Sequence, residues 1–132
     1  MQITYFGTCD LASITREGKL NLLGIFRQIF VRQLPTKFLK FTIVAIISDS
    51  ENNQHQLQLK ITSPDKKDLL SQNINLKINQ SGTANMFFEV INLPIHRTGK
   101  HLIQLSTNNH PLSQTTLEVV KVTDPPASQT VN

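Results

Sequence analysis

"KLNLLGIFRQIFVRQL", residues 19 to 34, supports two incompatible readings. On a helix, Leu22, Ile25, Phe26, Ile29 and Phe30 form one apolar stripe, with Arg27 and Arg32 off it. That is the form of a basic amphipathic helix seated on a membrane surface or in a partner's groove. On strands, the same residues become one arm of a hairpin inside an all-β domain. Gly24 argues for the strand, because it would cost a helix interior about 1 kcal/mol relative to Ala. In a strand it marks instead a bulge or a close approach of backbone. Leu22, Leu23, Ile25, Phe26, Ile29, Phe30 and Val31 also suit a strand buried on both faces. "TREGK" (15–19) forms a turn joining this arm to "QITYFGT" (2–8). So long a strand, kinked near Gly24, can serve two sheets or bend with one.

The remaining segments share a period of two. Leu57, Leu59 and Ile61 alternate with Gln56, Gln58 and Lys60 in "HQLQLKIT". Ile74, Leu76 and Ile78 alternate with Asn73, Asn75 and Lys77 in "QNINLKIN". Alternation of this kind reads as half-buried strands with one wet face. "FLKFTIVAIIS" puts Leu39, Phe41, Ile43, Ala45 and Ile47 on one side and is largely apolar on the other, as a central, covered strand would be. "ANMFFEVINL", "KHLIQLST" and "TTLEVVKV" add three more runs. Between them fall "SDSENN", "SPDKKD", "NQSGTAN", "HRTG" and "TNNHP", built from the residues that supply positive φ or local side-chain hydrogen bonds in turns. Short strands at such spacing predict an immunoglobulin-like antiparallel β-sandwich of seven or eight strands in two sheets. It forms a single domain over residues 1 to 122, followed by a polar, Pro-containing tail over 123 to 132.

"TGKHLIQLS" (98–106) has the shape of a late immunoglobulin-like strand, in which a turn Gly precedes an aromatic by two positions. His101 takes that aromatic's place, facing inward with Ile103 and Leu105, and can donate a hydrogen bond comparable to that of the usual Tyr. On this reading His101→Phe destabilises the fold.

Composition fits a single core. The chain has 132 residues, 39% hydrophobic and 17% charged, with Cys9 its only cysteine. No intramolecular disulfide can form, and a reducing cytosol is the expected location. The start of the chain lacks the charged and apolar regions of a secretory signal. No stretch approaches the roughly 18 apolar residues of a membrane span. The net charge of +4 lies wholly within residues 1 to 48. Arg27, Arg32, Lys37 and Lys40 fall in a segment without acids, and are the candidate contacts for an anion.

Catalytic signatures are wanting. His55, His96, His101 and His110 fall on separate turns and strand starts, without HExxH or zinc spacing, although His96 and His101 flank one turn. Cys9, beside Asp10 and without a basic neighbour, has no reason for a low thiol pKa. Glu89 and Glu118 stand apart on their strands. "NQS" at Asn79 fits a chance match to a glycosylation acceptor in a turn. No cofactor is expected, and the chain reads as a non-enzyme.

"GKLNLLGIF", the turn "SPDKKDLL", and "LPIHRTGKHLIQLS" followed by "TTLEV" resemble a family of small, uncharacterised bacterial proteins. The resemblance reaches to about Val122 and rests on turns and strand positions. It implies an immunoglobulin-like sandwich, a bacterial origin and no established activity. Two binding functions remain open. The first is a protein-interaction or scaffold module presenting loops or a sheet edge to another protein. The second is binding of nucleic acid or another anionic surface through residues 27 to 40. Neither strand order nor homo-oligomeric state can be read from the sequence.

Overall fold

The computed structural model describes residues 1–49, 54–78 and 81–123. Part of "SDSENN", the start of "NQSGTAN" with Asn79, and nearly all of the tail lie outside them. The described residues form nine strands: β1 (Gln2–Ile14), β2 (Leu20–Phe26), β3 (Gln28–Val31), β4 (Thr36–Ser48), β5 (Gln54–Thr62), β6 (Asp68–Lys77), β7 (Thr83–Ile95), β8 (Gly99–Thr107) and β9 (His110–Lys121). One sheet has the order β2-β1-β4-β7, the other β3-β9-β8-β5-β6. All neighbours are antiparallel except β3 and β9, which run parallel.

The ninth strand arises from the 19–34 segment. It is extended, as expected, and serves both sheets, but it breaks at Arg27 rather than at Gly24. β2 pairs with β1 in the four-stranded sheet, and β3 pairs with β9 in the five-stranded one. The Glu118 N–H donates to the Arg27 carbonyl at 2.8 Å, so the crossing point itself is tied to β9. Phe26 explains why the break falls there. Its ring packs with Phe38 (centroids 5.9 Å apart) and Phe41 (6.0 Å), and those two meet edge-on at 5.4 Å. Burying Phe26 holds β2 in its sheet up to that residue.

The remaining topology is that of an immunoglobulin-like sandwich. β4 and β7 stand beside each other as strands B and E do, and β9-β8-β5-β6 repeat the order G-F-C-C′. β1 is inserted between β2 and β4. Phe41, Ile43, Ala45 and Ile47 of β4 meet Leu57, Leu59 and Ile61 of β5 and Ile103, Leu105, Leu117 and Val119 of β8 and β9 in one buried core. Leu39 departs from the expected inward set, being exposed, while Phe38 takes the core position. The change of face is shared by the paired strand. Val90 and Leu93 are both buried, and Asn92 between them has φ 54°. Such a left-handed residue rotates the ribbon locally.

The turns follow their sequences. In "TREGK" the Thr15 N–H donates to the Lys19 carbonyl and Gly18 takes φ 83°. Asn108 and Asn109, at φ 48° and 64°, close β8 onto β9 as a tight hairpin. The peptide between Leu34 and Pro35 is cis. At the β5–β6 turn, Ser63 Oγ donates to Asp65, whose carboxylate also lies 3.8 Å from Lys67 Nζ and from Arg97 Nε of the β7–β8 turn. The hydroxyl of Ser63 is the leading cause holding the Asp65 carboxyl below the usual range.

Gly24 is bound by two constraints. Its φ is 69°, and a Cβ there would collide with the Asp10 carboxylate on β1. Gly18 has a similar φ but open space around it. Both Ala variants should lose about 1–2 kcal/mol to left-handed backbone strain, and Gly24→Ala should lose more. Chemical denaturation of the two variants checks this; equal losses would show that Asp10 yields freely.

His101 lies fully buried on β8, its Nδ1 3.2 Å from the Gly99 carbonyl oxygen. Nδ1–H is therefore the donor, two residues back along its own strand. Nε2 is buried with no hydrogen-bond partner among the described residues. Burial lowers the His101 pKa, only partly offset by the Gly99 bond and the Asp65 charge. A lowered folded pKa means that the unfolded chain binds the proton better. Stability should therefore be full above the ordinary His pKa of about 6.5 and fall as the pH drops towards the folded value. His101→Phe removes one hydrogen bond but also the unpaired acceptor, whose burial costs about 1–3 kcal/mol. Contrary to the sequence expectation, this variant should be at least as stable as the parent at neutral pH. It should also lose part of the parent's acid sensitivity. Melting temperatures at several pH values test both statements.

Candidate functional site: the outward face of the four-stranded sheet

Each strand of a sandwich has an inward and an outward row, and partners across an antiparallel ladder share a face. In the five-stranded sheet the outward rows are those of a solvated surface. They carry Gln56, Gln58, Lys60 and Thr62 on β5, Ser71 and Asn73 opposite on β6, and Lys100, Gln104 and Ser106 on β8, with Leu102 and the Phe30–Val120 pair half-buried among them.

The outward rows of the four-stranded sheet are different. One runs unbroken across all four strands as Ile25, Cys9, Thr42 and Glu89. On one side lie the pairs Leu11–Leu23 and Lys40–Ile91. On the other lie Gly7–Val44–Phe87 and then Tyr5–Ile46–Asn85. Leu11, Leu23, Ile25 and Ile91 are 51–61% exposed, and Phe87 is 38% exposed. Cys9 and Val44 are fully covered even though they face outward. Gly7 contributes to this cover, since a Cβ there would lie 2.6 Å from the Tyr5 hydroxyl oxygen; Tyr5 therefore folds back across Gly7. The result is an apolar surface, well packed at its centre and open at both ends.

Charge enters this face as one pair, with the exposed Lys37 opposite Pro94 near the start of β4. Lys40 Nζ lies 3.3 Å from Glu89 Oε2, with both side chains about half exposed. Cys9 Sγ contacts the Leu11 carbonyl oxygen at 3.5 Å. Burial, and next the Asp10 charge, push its thiol pKa up, so it is a poor nucleophile and a good filler.

The four basic residues singled out in the sequence occupy different settings. Lys40 is paired with Glu89 on the face just described. Lys37 lies on β4 opposite Pro94, and Arg32 is an exposed residue after β3. Arg27 lines an open groove of about 450 Å³ with Ile25, Phe30, Lys100, Thr116 and Glu118. There Gln28 Nε2 donates to Glu118 Oε1 at 2.8 Å, so neither Glu89 nor Glu118 stands alone. The histidines are similarly dispersed. His55 Nε2 bonds Asp49 at 2.8 Å, His96 and His110 are exposed, and no group of three metal-ligating side chains occurs among the described residues.

The apolar face was hidden in the sequence because Leu11, Leu23, Ile25 and Ile91 read as core. Only the register of β1 with β2 and of β4 with β7 puts them on the side away from the second sheet. One signal was available: β4 is apolar on both sides, so its sheet has two apolar faces and only one partner sheet.

Among solved structures, the chain is similar to an immunoglobulin-like protein from Pseudomonas aeruginosa, with 13% identity and a TM-score of 0.49, covering 89% of this chain and 94% of that one. It is also similar to part of the Pseudomonas fluorescens alkylpurine DNA glycosylase AlkC (8% identity, TM-score 0.47, 87% of this chain and 30% of that one). No curated protein matches. A family model matches residues 4–120, from near the start of β1 to near the end of β9. The chain belongs to that family, a family of unknown function (DUF6941).

Proposed function

We propose that the chain is a non-enzymatic protein-interaction module whose contact surface is the outward face of the β2-β1-β4-β7 sheet. The contrast between the two outward faces of the same sandwich carries this reading. One is lined mainly by Gln, Ser, Thr and Lys, with its apolar members Phe30, Leu102 and Val120 only half-exposed, whereas the other leaves Leu11, Leu23, Ile25, Phe87 and Ile91 exposed. Scattered exposed apolar residues are ordinary, but a set drawn from β1, β2 and β7 on one face, around the covered Cys9 and Val44, marks a contact surface. The surface combines a packed centre with exposed anchors at its ends, the arrangement that protein contacts use. A bacterial cytosol is part of the same proposal, supported by the single unpaired Cys9 held inside the fold.

The edges of this sheet suit a partner less well than its face. β2 carries Gly24 at positive φ, and β7 carries Asn92 at positive φ and Pro94 without an N–H. Interruptions of this kind blunt an edge against added strands. A second reading, binding of nucleic acid or another anionic surface, is favoured by the Arg27 and Lys100 pair lining the groove beside Phe30.

Affinity capture of the tagged chain from its own cells, with nuclease and at moderate salt, separates the two. The interaction reading expects a stoichiometric protein that is lost with Leu23→Lys/Ile91→Lys and kept with Arg27→Glu. Recovery of nucleic acid only at low salt, lost with Arg27→Glu, would instead support the groove, since phosphate contacts weaken steeply with salt.

A further inference from the structure

We infer that the partner of this face is a second copy of the chain, packed on it face to face about a twofold axis. The inference rests on the contact surface proposed above and names its occupant. Three observations carry it.

The first is size. The sheet has three strands of 13 residues and one of 7. At about 3.4 Å per residue and about 4.8 Å per strand, its face measures about 750 Å². Standard stable interfaces take about 600–1,000 Å² from each partner, so one whole face meeting another falls within that range.

The second is charge. The protein carries +4 overall, and most of its surface would meet a copy of itself with like-charge repulsion. The charges on the central rows of this face are Lys40 and Glu89, of opposite sign and already 3.3 Å apart, with the exposed Lys37 near the start of β4. Such a pair presents a dipole and no net charge. A twofold rotation sets one dipole against its own image, so that each Lys40 can also reach the partner copy's carboxylate. A strongly basic partner is repelled by the one lysine in excess and a strongly acidic one finds only that lysine to complement, whereas an identical copy can match the Lys40–Glu89 pair in an isologous contact.

The third is geometry. Both edges of the sheet are interrupted by residues at positive φ, which directs association to the face rather than to a continued ladder. Two sheets stacked through such faces pack about 10 Å apart with interdigitating side chains. Leu11, Leu23, Ile25 and Ile91 are the protruding groups that would interdigitate, and Val44 with the Tyr5 ring gives them a packed floor.

Analytical ultracentrifugation of the full chain at about 10 µM, the weak end of interfaces this size, tests the inference. The expected mass is twice the 14.9 kDa of one chain. Leu23→Lys/Ile91→Lys should weaken the dimer about 10,000-fold, because each substitution enters a twofold contact twice and each of the four entries costs about tenfold. Gln104→Lys, on the outward face of the other sheet, should leave it intact. All the substituted side chains are solvated in the single chain, so circular dichroism and melting of the separated copies should match the parent. If the double variant misfolds, Ile25→Lys alone is read in its place. A dimer unaffected by these changes would overturn the inference. So would a wild-type monomer, and the capture experiment then separates the two claims. A different protein lost with the same double variant would keep the interaction surface and reject the second copy. No such loss would reject both.

Discussion

The structure depends on one crossing of the chain between its two sheets. Between Phe26 and Gln28 the backbone leaves the four-stranded sheet and enters the five-stranded one. Hydrogen bonds to main-chain carbonyls anchor both sides of that step. Thr8 Oγ1 on β1 donates to the Phe26 carbonyl, and the Glu118 N–H on β9 donates to the Arg27 carbonyl. The Phe26, Phe38 and Phe41 rings fill the space beneath. A sandwich is held chiefly by side chains meeting between its sheets. Here one side is also closed by backbone, which fixes how the two sheets align and where every later strand must pair.

That closure has a consequence for function. β2, held at its end by the crossing, and β1, inserted between β2 and β4, widen the four-stranded sheet beyond a minimal B-E pair. Its inward face is covered by the second sheet. Its outward face keeps the apolar side chains that a central strand such as β4 carries on both sides. Burying such a face is favourable by about 25 cal/mol per Å² of apolar surface, and nothing in the described chain covers the ends of it. The face is thus a product of the fold's own strand order.

Much of the fold was legible in the sequence because its signals are local. Period-two alternation located β5 and β6, and Gly, Asn and Pro located the turns. Gly24 correctly spoke against a helix. It misplaced the break in the 19–34 arm because a glycine is a local signal, whereas the true break is set by Phe26 packing against Phe38 and Phe41, 12 and 15 residues further on. The same lack of long-range information put Leu39 on one side with Phe41, since the Asn92 twist that turns it outward lies on a different strand. The apolar outward face was the least legible feature. An outward Leu on a doubly apolar sheet has the same one-dimensional pattern as an inward one, and only the Leu11–Leu23 and Lys40–Ile91 registers distinguish them. The basic segment gave the opposite impression: contiguous in sequence, it distributes Arg27 to a groove and Lys40 to an ion pair.

The most direct measure of the central claim is hydroxyl-radical footprinting of outward side chains on both sheets, in dilute and in concentrated protein. Labelling of Leu11, Leu23, Ile25, Phe87 and Ile91 should fall with concentration, while that of Phe30 and Leu102 on the other sheet stays constant. Protection appearing at Phe30 and Leu102 instead, with the first set still labelled, would contradict the account and move the contact to the opposite face.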